Sequence, residues 1–312
     1  MYGIIYLADG RAFDAAAEES AHTKPQHRGD SVTPNPTICR NEDLWRRSAP
    51  VAMECPDKSH DLPLVRVFSK GETDFCECQI CGLVFRREFP SPSDLESIYQ
   101  EAYSEGNIER GRTDQESGAF ATSAYCRYLL SRYVRAGMRV LDIGAGTGEL
   151  VMLLRQAGVD AVGVESSAVA RDYCESHRGI RLAPDLAALR TESFDVVTMI
   201  EVIEHVTDLW GTLSGALRML KPKGVLFITT PNRKGLRARV EKGFWGEARK
   251  KFHLFLFDRS SIAFHLNENG FDRVRVIRFS PIPRSGLKYW LFGRAMQVLW
   301  MPGTLCVVAR RG

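Results

Sequence analysis

The chain has 312 residues, room for one large domain and a smaller companion, and its 44% hydrophobic and 26% charged content is that of an ordinary globular protein. A net charge of +4 is too small to imply nucleic-acid binding by itself, and no apolar run reaches the length needed to span a bilayer. The N-terminus lacks the basic and apolar regions of a signal peptide. Of the eight cysteines, Cys76, Cys78 and Cys81 crowd together, which favours a metal site in a reducing compartment over disulfides and gives an expected cytoplasmic location.

Residues 1–50 are mostly polar and show little periodicity, so they read as a mobile extension. Residues 51–110 read as a small zinc-binding module followed by a connecting helix. Cys78-x-x-Cys81-Gly82 puts two thiolates on one tight turn, with the glycine relieving the backbone. A closed site needs four ligands, and Lys58 stands where the first half would carry its second cysteine. Cys55, Cys76 and His60 are the candidates to complete it. The expected set is Cys55, Cys76, Cys78 and Cys81, with His60 as the variant to Cys76; a zinc-free hairpin with buried cysteines is the alternative. Four protein ligands leave no open position, so such a zinc is structural. C-G-L-V-F at Cys81–Phe85, followed by Pro90, Pro92, Leu95 and Tyr99, resembles the N-terminal zinc-binding module of many bacterial methyltransferases.

Residues 111–312 alternate apolar runs with helical periods. Phe120, Tyr125, Tyr128, Leu129 and Tyr133 form a stripe on a helix spanning Gln115–Arg135, which should pack on a sheet. Val140 to Leu150 then reads V-L-D-I-G-A-G-T-G-E-L: a strand, a glycine turn, the start of a helix. The glycines let backbone approach a ligand and present helix-start N–H groups. A helix over Leu150–Ala157 leads to a strand over Asp160–Glu165. Glu165 lies 21 residues after Gly144, one βαβ step, where a carboxylate can accept from both ribose hydroxyls of a nucleoside. A helix over Ala168–His177, a short strand at Ile180–Leu182, and a buried strand over Phe194–Met199 follow. After I-E-V-I-E-H-V at Ile200–Val206 come a helix over Asp208–Leu220 and a strand over Gly224–Thr230, closing on Pro231-Asn232. Residues 233–251 form a basic lid, with eight Lys and Arg against Glu241 and Glu247, suited to an anionic substrate; a solvated helix with no ligand is the plain alternative. Asp258 is an N-cap for a helix ending at Glu268, and Val274–Phe279 is a strand. Leu287–Met301 is markedly apolar, a helix on the pocket or a homodimer contact, and Thr304–Arg310 is the last strand.

D-x-G-x-G-x-G at Asp142–Gly148, the acid at Glu165, E-V-I-E-H-V and L-K-P-K-G-V-L-F-I-T-T-P-N resemble the class I S-adenosylmethionine-dependent methyltransferases, in particular the ubiquinone-biosynthesis O-methyltransferase group and methyltransferase-23-type relatives, over about residues 120–280. The resemblance implies an α/β fold: a Rossmann-like seven-stranded sheet with helices on both faces, its last strand antiparallel. It implies S-adenosylmethionine as cofactor, held by Asp142, Gly144, Ala145, Gly146, Gly148, Glu165, Ser166, Asp185, Ile200 and Glu201.

Glu201, Glu204 and His205 stand at i, i+3 and i+4, and share one face if they occupy a helical turn. With His253 they form a candidate divalent-metal site for magnesium, manganese or zinc, in which His205, Glu204 and His253 carry the chemistry. The small-RNA 2′-O-methyltransferases resemble this E-x-x-E-H pattern with a later histidine. Two readings do without metal: His205 as general base, or Glu201 lining the donor pocket with both histidines in ordinary packing roles. The nucleobase-carbon and Asn-Pro-Pro-Tyr amino-methylating patterns are absent, which favours an oxygen acceptor. Three functions compete: an O-methyltransferase of a small molecule such as a sugar, glycan precursor or natural product; an RNA 2′-O-methyltransferase; and a non-catalytic scaffold whose zinc module binds a partner.

Overall fold

A computed structural model describes residues 55, 60, 64–70, 73–102, 112–241, 244–279, 281, 295 and 302–312. The extension expected over residues 1–50 lies outside these, as does the apolar stretch 287–301 apart from Ala295.

The first elements among the described residues form an antiparallel meander, β1 (Val65–Lys70), β2 (Thr73–Glu77) and β3 (Val84–Arg86). Helices α1 (Pro92–Ala102) and α2 (Arg112–Arg132) follow. Alternation then begins: β4 (Arg139–Ile143), α3 (Glu149–Gln156), β5 (Asp160–Val164), α4 (Ala168–Arg178), β6 (Phe194–Ile200), α5 (Leu209–Met219) and β7 (Leu220–Pro231). Two short helices, α6 (Leu236–Glu241) and α7 (Gly246–Arg249), occupy the lid. β8 (Phe255–Leu256), α8 (Arg259–Glu268), β9 (Phe271–Ile277) and β10 (Thr304–Arg311) complete the chain.

The main sheet runs β5-β4-β6-β7-β10-β9. Its first four strands are parallel, and β10 is antiparallel to both neighbours. Strand residues alternate between two cores. Leu141, Val197, Leu226 and Val307 face α5, α8 and the cysteine segment. Val140, Val196, Phe227 and Val308 face α2, α3 and α4. Period-two alternation therefore buries both faces, as a sheet wrapped by helices requires.

The expected seven strands are six among the described residues. At Ile180–Leu182 the ladder shrinks to one bridge, Ala183 to Val164. Pro184 follows at once and cannot donate to a ladder. Asp258 caps α8 as the sequence requires, in a capping box with Ser261. No helix of the described residues is long and apolar enough to cross a membrane.

The second sheet, β1-β2-β3-β8, takes its last strand from far along the chain: Val84 pairs with Leu256 and Phe85 with Phe255. The cysteine segment is thus built into the larger domain.

Gly163 on β5 shows how closely α3 approaches the sheet. A Cβ there would sit 2.6 Å from Leu182 Cδ2, 2.9 Å from Ala145 Cβ and 3.0 Å from Val151 Cγ2. Gly163→Ala should destabilise the protein by ~1–3 kcal/mol, the usual range for overpacking, read as a lower urea midpoint. An unchanged midpoint would show that Leu182, Ala145 and Val151 give way without cost.

Candidate active site

Two constellations meet at the edge where β4, β5, β6 and β7 end. The first is the glycine loop. Gly144, Gly146 and Gly148 all have positive φ (73°, 55° and 75°), a region that disfavours side-chain-bearing residues. Gly148 is the N-cap of α3 and supplies no side chain, so the helix opens with bare backbone. The N–H groups of Gly144 and Ala145 bond Val164 O at 2.8 and 2.9 Å, locking the loop onto β5. Glu165 is fully buried at the end of β5, and its carboxylate accepts from Gly146 N and Ser167 N, both at 2.8 Å. Arg171 fixes the same corner by donating to the carbonyls of Glu165 and Ser166. Asp142 accepts from the Thr198 hydroxyl at 2.6 Å, joining β4 to β6. Burial pushes the Asp142 and Glu165 carboxyls each up to about 7. Asp185 caps a 3₁₀ turn, Leu186–Ala188, and the bond from Glu165 N to Ala183 O holds that segment beside the end of β5. Ile200 ends β6 and is buried.

The second constellation gathers Glu204, His205 and His253, one ligand atom from each lying within 4.8 Å of the others. Residues 201–205 form a turn rather than the helical turn expected from sequence. Glu201 has φ 54° and bonds back to Thr229, and the turn closes through His205 N to Val202 O. Glu201 stands outside the three-residue cluster, though it is buried nearby. His205 Nδ1 donates to Phe252 O at 3.0 Å, which fixes the tautomer and leaves the Nε2 lone pair facing Glu204 Oε1 at 3.7 Å. The other Glu204 oxygen accepts from the Thr230 hydroxyl at 2.9 Å. Glu201 Oε1, Glu204 Oε1, His205 Nε2 and His253 Nδ1 are all buried without a hydrogen-bond partner. Burial holds His205 down at about 3 and His253 well below the usual imidazole range, and it raises both Glu201, to about 7, and Glu204. The 3.7 Å separation of Glu204 Oε1 and His205 Nε2 is too long for a hydrogen bond. It suits two atoms sharing one ion with arms of about 2.0–2.2 Å.

The model of the methyltransferase-domain family matches residues 119–276, half of the chain. The chain belongs to the methyltransferase-domain family. It is a member of the class I S-adenosylmethionine-dependent methyltransferases. It is 35% identical over 120 residues to the ubiquinone biosynthesis O-methyltransferase of Xanthomonas oryzae pv. oryzae, covering 34% of this chain and 48% of that one. To the protein of the same name from Methylococcus capsulatus it is 36% identical over 108 residues, covering 31% and 45%. The chain thus spans about half the length of the curated relatives it matches. Among solved structures, a Haloferax volcanii methyltransferase in complex with the Trm112 methyltransferase activator superposes with a TM-score of 0.51 at 18% identity, covering 68% of this chain and 96% of that one. Phosphoethanolamine N-methyltransferase 2 of Haemonchus contortus gives a TM-score of 0.51 at 15% identity, covering 81% and 72%. Both likenesses are of fold.

The cysteine segment brings together a second group of side chains able to hold a metal ion, Cys55, His60, Cys78 and Cys81, all four buried, with one Sγ or ring-nitrogen atom from each within 4.8 Å of the others. Cys55 Sγ lies 3.9 Å from Cys81 Sγ, and Cys78 Sγ lies 3.5 Å from His60 Nδ1. A tetrahedron with arms of about 2.3 Å to sulfur and 2.0–2.1 Å to nitrogen has edges of about 3.5–3.8 Å, so these residues fit zinc. Cys76 is not among them. It sits on β2, paired with Phe85, while Cys78 has left the strand for the turn and bonds Leu83 O through its N–H. The Cys55 thiol, with His265 and the Leu83 N–H, holds the Cys81 thiol down at about 4; burial raises Cys78.

Arg86, at the end of β3, braces His253. Its Nη1 donates to Lys251 O at 2.6 Å and its backbone N–H to Leu254 O at 2.8 Å, one bond on each side of the histidine. Sequence reasoning missed Arg86, Phe252, Thr198 and Thr230. The two threonines lie within strand patterns already recognised, where a hydroxyl on a buried strand is the available signal. For Arg86 there is none, because its role depends on a contact 165 residues away.

Asp142 holds its proton more tightly folded than unfolded, so its share of stability is complete below about pH 4 and is lost as pH rises through about 7. Asp142→Asn cannot ionise and keeps an oxygen for Thr198. Urea unfolding should show the variant gaining on wild type between pH 5.5 and 7.5. A gap independent of pH would mean the carboxyl is not elevated.

Proposed function

We propose that this chain is an S-adenosylmethionine-dependent O-methyltransferase acting on a small-molecule hydroxyl, with a divalent metal at Glu204, His205 and His253 and a structural zinc at Cys55, His60, Cys78 and Cys81. The observation that carries the reading is the set of partnerless buried atoms on Glu204, His205 and His253, at the end of β6 beside the glycine loop. A buried polar atom without a partner costs about 1–3 kcal/mol, and a cation held between Glu204 Oε1 and His205 Nε2, with His253 as third ligand, would relieve that cost. The name printed for the curated relatives, O-methyltransferase, supports oxygen as the acceptor atom.

The roles follow from position. Gly144 to Gly148 offer backbone to the donor, and Glu165 takes the ribose hydroxyls, exchanging its bond to Gly146 N for them. Asp142 and Thr198 hold the floor between β4 and β6. Phe252 O and Thr230 aim His205 and Glu204 into the cluster, the supporting contacts that metal ligands need. The bound donor supplies a methyl group already activated on sulfur, and a divalent ion supplies a lowered pKa for the acceptor hydroxyl. Alignment of acceptor and donor is then the protein's main task. Burial keeps His205 a weak base, so the metal-free reading of His205 as general base is less favoured.

Calorimetry should show S-adenosylmethionine binding that Glu165→Ala weakens by ~1–3 kcal/mol. With labelled donor and a small-molecule extract, His205→Ala and His253→Ala should each lower product formation on the order of 10²-fold, with donor affinity retained. Both should also abolish a manganese resonance signal seen with wild type. Preferential binding of NAD would sink the donor reading; full activity of His253→Ala would return the site to a metal-free mechanism.

Metal analysis should find about one tightly held zinc per chain, released in Cys81→Ser together with a lower Tm. A zinc-free preparation of wild-type stability would make the knuckle a plain hydrophobic turn.

A further inference from the structure

His265 is fully buried on α8, and both of its ring nitrogens lie without a hydrogen-bond partner among the described residues. A neutral imidazole carries one N–H donor and one acceptor nitrogen, so burying it with neither satisfied is costly. Most of its surroundings are apolar. The Trp210 and Phe264 rings meet it edge-on, each with its centroid 5.5 Å away, at 73° and 81°. Asn269 Nδ2 donates to the His265 carbonyl, not to the ring. The polar group that the ring faces is the Cys81 thiol, whose charged form it favours.

The knuckle has a place for such a donor. Cys78 Sγ faces two backbone N–H groups, those of Ile80 and Cys81. Cys81 Sγ faces the single backbone N–H of Leu83. Three thiolates and a neutral imidazole around a dication leave one negative charge in excess, and Cys55, His60, Cys78 and Cys81 are all buried. Water is kept from that charge, so N–H groups directed at sulfur are what can offset it. His265 stands outside the group of four whose ligand atoms gather within 4.8 Å, which suits a donor to a ligand rather than a ligand. Phe264, the residue before it, packs on the His60 ring at 5.6 Å, so consecutive residues of α8 touch two of the four ligands.

We propose that His265 is a positioning residue of the zinc knuckle, its ring N–H donating to Cys81 Sγ when the metal is bound. The proposal rests on the structural-zinc reading above. Such a bond draws charge from the sulfur and fixes its direction, the part that contacts behind a metal ligand play. It also ties the metal to the larger domain through a second element. β3 already reaches that domain by pairing with β8, and α8 follows β8 with its own cap, Asp258, held by Arg233. Zinc binding is thereby coupled to the seating of α8.

The test uses the full chain loaded with cobalt(II), whose thiolate-to-metal charge-transfer band reports the charge on sulfur and whose d–d bands report the ligand set. His265→Phe keeps an aromatic ring against Trp210 and Phe264 and removes the N–H. It should leave the d–d bands in place, move the charge-transfer band to lower energy, and weaken zinc affinity roughly tenfold in competition with a chelator. His265→Asn and His265→Gln return an amide N–H near one ring nitrogen or the other, and at least one of them should restore the band. In wild type loaded with NMR-active cadmium, a ring N–H proton of His265 should show coupling to the metal, a readout that needs no variant. An unshifted charge-transfer band in His265→Phe, with no such coupling in wild type, overturns the proposal. So does an altered d–d pattern in His265→Phe, which would make His265 a ligand. A wild-type chain that takes up neither cobalt nor zinc removes the zinc reading, and this proposal with it.

Discussion

Two residue pairs of antiparallel sheet, Val84 with Leu256 and Phe85 with Phe255, hold both ligand clusters in one framework. On one side of this pairing, β3 leads back to Cys78 and Cys81. On the other, β8 is entered through His253 and Leu254. The N–H groups of Leu254 and Phe255 both reach Glu204 O, at 2.8 and 3.1 Å, so hydrogen bonds run unbroken from the knuckle to the turn carrying Glu204 and His205. Leu254, Phe255 and Phe257 are fully buried here. At ~1.5–3 kcal/mol for each large side chain buried, this packing outweighs any surface ion pair in the molecule. The knuckle is accordingly part of the scaffold that orients His253.

The strand-end edge concentrates acids that the fold keeps away from water. Asp142, Glu165 and Glu201 are each raised to about 7, and Glu204 is raised as well, in every case chiefly by burial. Ionising these buried acids carries a desolvation penalty at neutral pH. A cationic sulfonium donor would relieve this penalty, as would the divalent ion proposed above, since whatever binds the folded state alone stabilises it by mass action. The electrostatics of the edge and the chemistry assigned to it therefore agree.

Much of this was legible in the chain because the relevant signals are local. The glycine spacing at Gly144, Gly146 and Gly148, the acid one βαβ step later and the Asp258 cap each depend on a few neighbouring residues, and the structure has a loop, a strand end and a capping box there. What depended on contact between distant segments was not legible. Cys76 has the spacing of a ligand, yet it belongs to β2, and the knuckle begins only where the chain leaves that strand; His60 approaches from another segment. Glu201 has the helical spacing of E-x-x-E-H, but a left-handed residue at that position breaks the helix and swings its carboxyl out of the cluster. The short strand expected at Ile180–Leu182 failed for a local reason, the proline that follows.

The lid shows the same limit from another side, since its composition suggested one basic surface and its structure divides the charges by task. Arg233 is a fastener. Its side chain is 9% exposed and spans Glu77 on β2 at 2.8 Å and Asp258 at 2.6 Å, with a further bond to Gly82 O. Removing one partner from so buried a group would leave a charge without compensation, a far larger cost than losing an exposed pair. Arg237 and Lys250 instead pair within the lid, to Glu241 and Glu247, and Glu247 also comes within 3.6 Å of His253. Lys234 meets Asp258 at 2.8 Å, and Arg239 Nε donates to the carbonyl of Lys234 at 3.0 Å. Net charge over 233–251 is thus a poor guide to what the segment binds. The informative quantity is which cations meet carboxylates, and Asp258, capping α8 while anchoring Arg233 and Lys234, is the residue that sorts them.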